Sequence, residues 1–296
     1  MTVLPLQYDR LVLLFNPASS HGSGDAAAQL REELHQRLPG MPVTALRTEY
    51  PGHGRTLASG AASVGTPLIV SVSGDGGYND VVNGVMDAGG TAVCAVLPRG
   101  NANDHSRSTR REPLIDAIIA GQVRRIDLLR LSVEDGPESW SRYAHSYVGF
   151  GLTPAMAIGI EQGTKGTFSE LVSVARTFSG LVPFELSRPD GARARFDSLI
   201  LANIPGIAKY GRISETGEPN DGKFEVIGLP HAKRWRIALM ALRAVTVGLG
   251  AQQSVGRYAF TTVDPVPLQI DGEVVNLGSR AHIEVESVHQ ALATIG

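Results

Sequence analysis

The segment Ser73-Gly-Asp-Gly-Gly-Tyr-Asn-Asp-Val-Val-Asn-Gly-Val85 constrains this chain more than any other. It follows an apolar run, Pro67–Val72, that reads as a strand, and it opens a helix-like run. Glycines at a strand-to-helix turn let backbone N–H groups face an anion at the helix N-terminus. Asp75 stands among those glycines. A carboxylate inside a phosphate cradle repels the phosphates unless a cation or a reacting hydroxyl lies between them. The pattern therefore points to nucleotide chemistry with magnesium, and to phosphoryl transfer first. Without matching surroundings, the same run would serve as an ordinary βα turn.

The surroundings have a regular rhythm. Leu11–Phe15, Pro42–Arg47, Leu68–Val72 and Ala92–Leu97 read as strands, and Asp25–Leu38, His53–Ser63 and Tyr78–Asp87 as helices. This alternation predicts a parallel sheet with helices on both faces. Ligands of such sheets bind at loops leaving the carboxyl ends of strands. Three Gly-rich loops do so, after Phe15, Val72 and Leu97. The first, Asn16-Pro-Ala-Ser-Ser-His-Gly-Ser-Gly24, suits a phosphate or ribose, or a plain structural turn. In the third, Leu97-Pro-Arg-Gly-Asn-Ala-Asn-Asp-His-Ser-Arg107, Gly100 would admit the nucleotide. Asn103 and Asp104 would order the loop or cap the next helix.

Near residue 128 the texture changes to short alternating runs: Ile126–Val133, Tyr143–Gly149, Arg193–Ala202, Phe224–Leu229, Tyr258–Val263 and Val274–Val275. These predict a β-rich, mainly antiparallel second domain, with helical inserts at Phe168–Leu181 and Ala232–Leu249. A chain of 296 residues accommodates two such domains. Two acidic turns lie in this half, Glu218-Pro-Asn-Asp-Gly-Lys-Phe-Glu225 and Asp271-Gly272-Glu273. Both read as tight turns between strands. Beside a nucleotide they could supply a magnesium ligand and a general base.

Net charge is -2, which gives no general pull toward nucleic acid or an anionic bilayer, and no nucleic-acid partner is expected. Membrane contact would need a local patch. His231-Ala-Lys-Arg-Trp-Arg-Ile-Ala-Leu-Met240 offers one, with Lys233, Arg234, Trp235 and Arg236 opening a long apolar helix. The plainer reading is a packed helix with a solvated first turn. Cys94, the one cysteine, excludes an internal disulfide and reads as a buried thiol. No apolar run reaches the roughly 18 residues of a membrane span. A cytoplasmic protein, peripheral at the inner membrane surface, is expected.

The order Asn-Pro…Gly-x-Gly, Gly-Asp-Gly-x-x-Asn-Asp-Val-Val-Asn-Gly, Pro-x-Gly-x-x-Asn-Asp, Asn-Asp-Gly and Asp-Gly-Glu resembles the diacylglycerol kinase catalytic-domain family of lipid kinases, which includes bacterial lipid kinases and sphingosine kinases. The likeness runs from about residue 10 to the C-terminus and takes in Thr48-Glu-Tyr-Pro-Gly-His53 and Thr164-Lys-Gly166. It implies an α/β nucleotide-binding domain, similar to phosphofructokinase and NAD kinase, over residues 1–127, rejoined by 287–296. A β-rich, sandwich-like lipid-substrate domain over 128–286 completes it, with the active site in the cleft between.

By the same likeness ATP is held by Asn16, Pro17, Thr48, the loop Ser73, Gly74, Gly76, Gly77, Asn79 and Asp80, and by Gly100 and Asn101. Mg2+ is bound by Asp221 with carbonyls near Glu218 and Lys223. Glu273 is the base for the lipid hydroxyl, with Asp271 as the fallback, and Asp75 organises Mg-ATP or acts on the hydroxyl. Two departures stand out. The family's Gly-Gly-Asp-Gly-Thr is here Ser73-Gly-Asp-Gly-Gly77, and Asn101 replaces a threonine. The expected partners are ATP and a hydroxyl-bearing lipid, with transient membrane contact and a possible homodimer. A soluble-substrate kinase such as an NAD kinase, or a nucleotide-binding regulator with weakened catalysis, remains open on the residues.

Overall fold

Short apolar runs closed by glycine loops build the strands of the N-terminal part, and the helices between them carry each strand back to run parallel. The computed structural model describes residues 7–17, 22–101, 103–109, 112–151, 182–207, 211–212, 218–232 and 250–295. The chain forms two compact units, Met1–Leu128 with His289–Gly296, and Leu129–Val288.

In the first unit the order is β1 (Arg10–Phe15), α1 (Ser23–Arg37), β2 (Val43–Arg47), α2 (His53–Ala62), β3 (Pro67–Ser73), α3 (Asp75–Asp87), β4 (Val93–Pro98), α4 (Asp104–Thr109) and α5 (Leu114–Ile119). The end of the last strand, β17 (His282–Ile295), adds to it. The sheet runs β17-β4-β3-β1-β2 and is parallel, with Leu11 opposite Val43 and Leu68, and Val93 opposite Leu68 and Ala293. The chain leaves β1 toward one edge and β3 toward the other, so the order reverses between them. That reversal is the point where such sheets open a crevice.

One core joins Leu11, Leu13, Leu68 and Val70 to Leu30 and Leu34 of α1, Ile115 and Ile118 of α5, and Ile295. Cys94 is buried, as expected. Helices α2 and α3 pack closely because a β-carbon on Gly84 would fall 2.3 Å from the Arg55 carbonyl oxygen and 2.8 Å from Ala58 Cβ. Arg55 then reaches Asp87 with two hydrogen bonds, of 2.6 and 2.8 Å.

The second unit contains β5 (Val123–Asp135, entering from the first), β6 (Glu138–Ala144), β7 (Tyr147–Gly151), β8 (Phe184–Ser187), β9 (Arg193–Ala202), β10 (Gly206–Ile207), β11 (Gly211–Arg212), β12 (Phe224–Pro230), β13 (Gln253–Val255), β14 (Arg257–Thr262), β15 (Val266–Ile270) and β16 (Glu273–Leu277). Its pairings are antiparallel, with β9 flanked by β7, β8 and β12. Phe150, Phe184, Leu201, Phe224, Phe260 and Ile283 lie in one shared core.

Three expectations need correction. α3 starts at Asp75 rather than Tyr78, because the glycines themselves take helical conformation. The run Tyr143–Gly149 is two strands, broken at His145-Ser146 by a turn pinned to a buried carboxylate. β8, β13 and β15 appear where no strand was expected. The expected inserts at 168–181 and 232–249, the Thr164-Lys-Gly166 fragment and the basic residues Lys233–Arg236 lie outside the described residues, apart from Ala232.

Candidate nucleotide and acceptor sites

Gly74 caps α3 in an extended conformation, φ −86° and ψ −170°. The first helical bond runs from the Tyr78 N–H to the Gly74 carbonyl, 3.1 Å, so the helical ladder begins at this peptide. Alongside, the Arg99 N–H donates to the Ser73 carbonyl at 2.8 Å and extends the β3–β4 ladder. The two loops thereby touch. A β-carbon on Gly100 would fall 2.6 Å from Gly74 Cα, and one on Gly74 would fall 3.0 Å from Gly100 Cα. Side chains are excluded at both positions. Asn103, at φ 53°, clamps the Gly100 peptide, its Oδ1 accepting the amide at 2.9 Å and its Nδ2 donating to the carbonyl at 2.8 Å. What results is a partly exposed backbone cradle with Asp75 in the first turn of a helix.

The other expected nucleotide residues of this unit follow the same strand ends. Asn16 and Pro17 are exposed just past β1, and the Ser23 hydroxyl donates to the Asn16 carbonyl. Thr48 is half-buried past β2, its N–H donating to the Phe15 carbonyl at 2.9 Å. Asn101 is exposed next to Gly100.

Two residues of the motif face elsewhere. Asn79 is fully buried, and Asn83 Nδ2 donates to its side-chain and main-chain oxygens at 3.0 and 2.9 Å. It braces the helix from within. Asp80 faces α2, where a β-carbon on Gly54 would fall 3.2 Å from it. The Asn-Asp-Val-Val-Asn-Gly stretch is thus largely a packing motif. Sequence reasoning passed over Arg99, whose Nε is buried without a hydrogen-bond partner among the described residues. Nothing in a linear reading separates it from a solvated loop arginine.

In the second unit, Asp271-Gly272 is a two-residue hairpin turn at φ 44° and 101°, pairing Ile270 with Glu273. Asp271 is buried. It accepts the amides of His145 at 2.7 Å and of Ser146 and Tyr147 at 3.0 Å each, with His145 Nε2 at 3.3 Å. Glu273 contrasts with it, being 40% exposed and paired through Oε2 to Arg142 Nη1 at 2.5 Å. Arg142 and His145 carry no sequence signal that would have picked them out. Asp221 sits in an exposed turn, its Oδ1 accepting the Lys223 amide at 2.9 Å, with Gly222 at φ 76°. Glu218 and Lys223 are also exposed. Among the described residues no three acidic, histidine or cysteine side chains cluster as a metal site.

Solved structures share this fold. A structure described as a putative diacylglycerol kinase from Bacillus anthracis str. Sterne superposes with a TM-score of 0.73 over 98% of each chain, at 16% identity. Another, described as a diacylglycerol kinase from the same organism, gives 0.70 over 98% of each chain, at 15% identity. A protein named "Putative lipid kinase" in Staphylococcus aureus strain Mu3 is 27% identical over 240 residues, 74% of each chain. Residues 10–131 match the model of the diacylglycerol kinase catalytic domain.

Proposed function

We propose that this chain transfers the γ-phosphoryl group of ATP to a hydroxyl of a lipid. The Gly74–Gly100 contact carries the reading. Two backbone loops meet in direct contact past adjacent parallel strands at the start of α3, the kind of place where backbone N–H groups can face a phosphate chain. The lipid acceptor is supported by the name of the Staphylococcus aureus relative.

The cradle Ser73–Gly77, with Gly100 and Asn101, takes the phosphates, and Asn16, Pro17 and Thr48 take the rest of the nucleotide. Phosphoryl transfer depends mainly on positioning and charge neutralisation, so donors fixed before the reaction are the chief contribution of the protein. Glu273 accepts the lipid hydroxyl proton. Arg142 orients Oε2, and a carboxylate retains further lone pairs for a proton. Asp271 is occupied by the three amides and holds the turn that presents Glu273.

Carboxylate oxygens in each unit have the chemistry that magnesium takes. Asp75 and Asp221 offer hard carboxylate oxygens, and Asp221 is exposed, with carbonyls near Glu218 and Lys223 to assist. When bound, the ion would neutralise charge on the phosphoryl oxygens. The acceptor would be met by transient contact at the cytoplasmic face of a membrane. Among the described residues no helix is long and apolar enough to cross one.

Incubation with γ-labelled ATP and a lipid mixture tests the reading. Label should enter the organic phase, and Glu273→Gln should slow that transfer by about 10²–10⁴-fold with ATP affinity unchanged. Label confined to a water-soluble acceptor would overturn the lipid assignment, and full activity in the variant would overturn the base.

A further inference from the structure

Ser73, the last residue of β3, fills the space that a side chain on Gly77 would occupy. A β-carbon on Gly77 would lie 2.6 Å from Ser73 Oγ and 2.7 Å from Ser73 Cβ. The second distance is the harder constraint. Turning the hydroxyl aside leaves Cβ fixed to the backbone, so relief requires the end of the strand or the start of the helix to move.

The hydroxyl is also engaged. Ser73 Oγ donates to the Gly74 carbonyl at 3.0 Å and lies 2.6 Å from Ser71 Oγ, on the same face of the strand. With the Ser73 proton given to Gly74, the Ser71 hydroxyl is the donor between the two serines. The Gly74 carbonyl also receives the Tyr78 amide, the first bond of α3. A single side chain therefore holds the peptide on which the helix begins.

We propose that Ser73 and Gly77 are a matched pair. The Ser73 side chain takes the volume of residue 77 and fixes the Gly74 peptide, so Ser73 is a positioning residue for the nucleotide cradle. Residue 77 must then be glycine while residue 73 bears a side chain. The nucleotide part of this rests on the function proposed above, whereas the pairing itself does not. Helix propensity makes the opposite forecast. Gly77 lies in α3 without a positive φ, and alanine is favoured over glycine inside a helix.

The sign of one substitution in two backgrounds separates the forecasts. In nucleotide-free protein, Gly77→Ala should lower the thermal unfolding temperature, and in a Ser73→Gly background it should raise it. A Gly77→Ala chain that fails to fold until Ser73→Gly is added gives the same result in stronger form. A rise with Ser73 present would overturn the pairing. Ser73→Ala keeps Cβ and loses the hydroxyl, so it should unfold near the native temperature yet bind ATP several-fold more weakly. Native ATP affinity in that variant would overturn the positioning role. If the unaltered protein bound no ATP, the kinase reading would fail, while the sign reversal would still decide the pairing.

Discussion

Tyr8 shows how a single buried group sets a limit on the conditions the fold withstands. It is 3% exposed, its hydroxyl donates to the Ile118 carbonyl of α5, and burial pushes its pKa up to about 12. The folded value lies above the ordinary 10.0, so the contribution of the protonated phenol is complete below about pH 10. It is lost as pH rises through the folded value, at up to about 1.4 kcal/mol per pH unit. Denaturant titrations of Tyr8→Phe between those limits should show a shallower decline than the parent, and equal slopes would remove Tyr8 as the cause. Such a role is invisible in sequence, since Tyr8 and its partner are separated by 110 positions. The cradle glycines were readable for the opposite reason: the need for bare backbone leaves its mark at the position itself.

Among elements, three buried aspartates act alike. Asp127 of β5 accepts the Gln290 amide at 2.6 Å and faces His289 Nδ1 at 3.0 Å. Asp197 of β9 accepts the Ala232 amide at 3.1 Å and faces His231 Nδ1 at 2.9 Å. Asp271 does the same for the β6–β7 turn with three amides and His145. Each ties the start or end of one element to another. Buried amides deprived of an acceptor cost about 1–3 kcal/mol apiece, so Asp271→Ala should destabilise the protein by at least about 3 kcal/mol. It should also slow turnover through the displaced Glu273. Unfolding at the parent's denaturant midpoint would show that the amides find other acceptors. These ties span up to 163 positions and leave no local pattern. β15 escaped notice for a different reason, because Pro265 and Pro267 mask Val266–Ile270 as a strand. The parallel strands β1, β3 and β4 were legible, since burial on both faces makes each of them a largely apolar run.

At the scale of the molecule, one compact unit pairs its strands in parallel and the other, from Leu129, pairs them antiparallel. The return of the chain to its first unit was implied by family likeness alone. That return is small in extent and matters to the whole unit: Ala293 and Thr294 pair with Val93 and Cys94, and the Thr294 hydroxyl meets the Tyr78 hydroxyl of α3 at 3.3 Å. Removing residues 289–296 should expose the β4 edge and take Ile295 from the core, giving aggregates in size-exclusion chromatography. A monodisperse, cooperatively unfolding product would contradict this. During translation, every residue of the glycine cradle emerges from the ribosome long before the strand that seals β4. A prematurely released polypeptide would carry the glycine loops after β3 and β4 without the strand that pairs with β4.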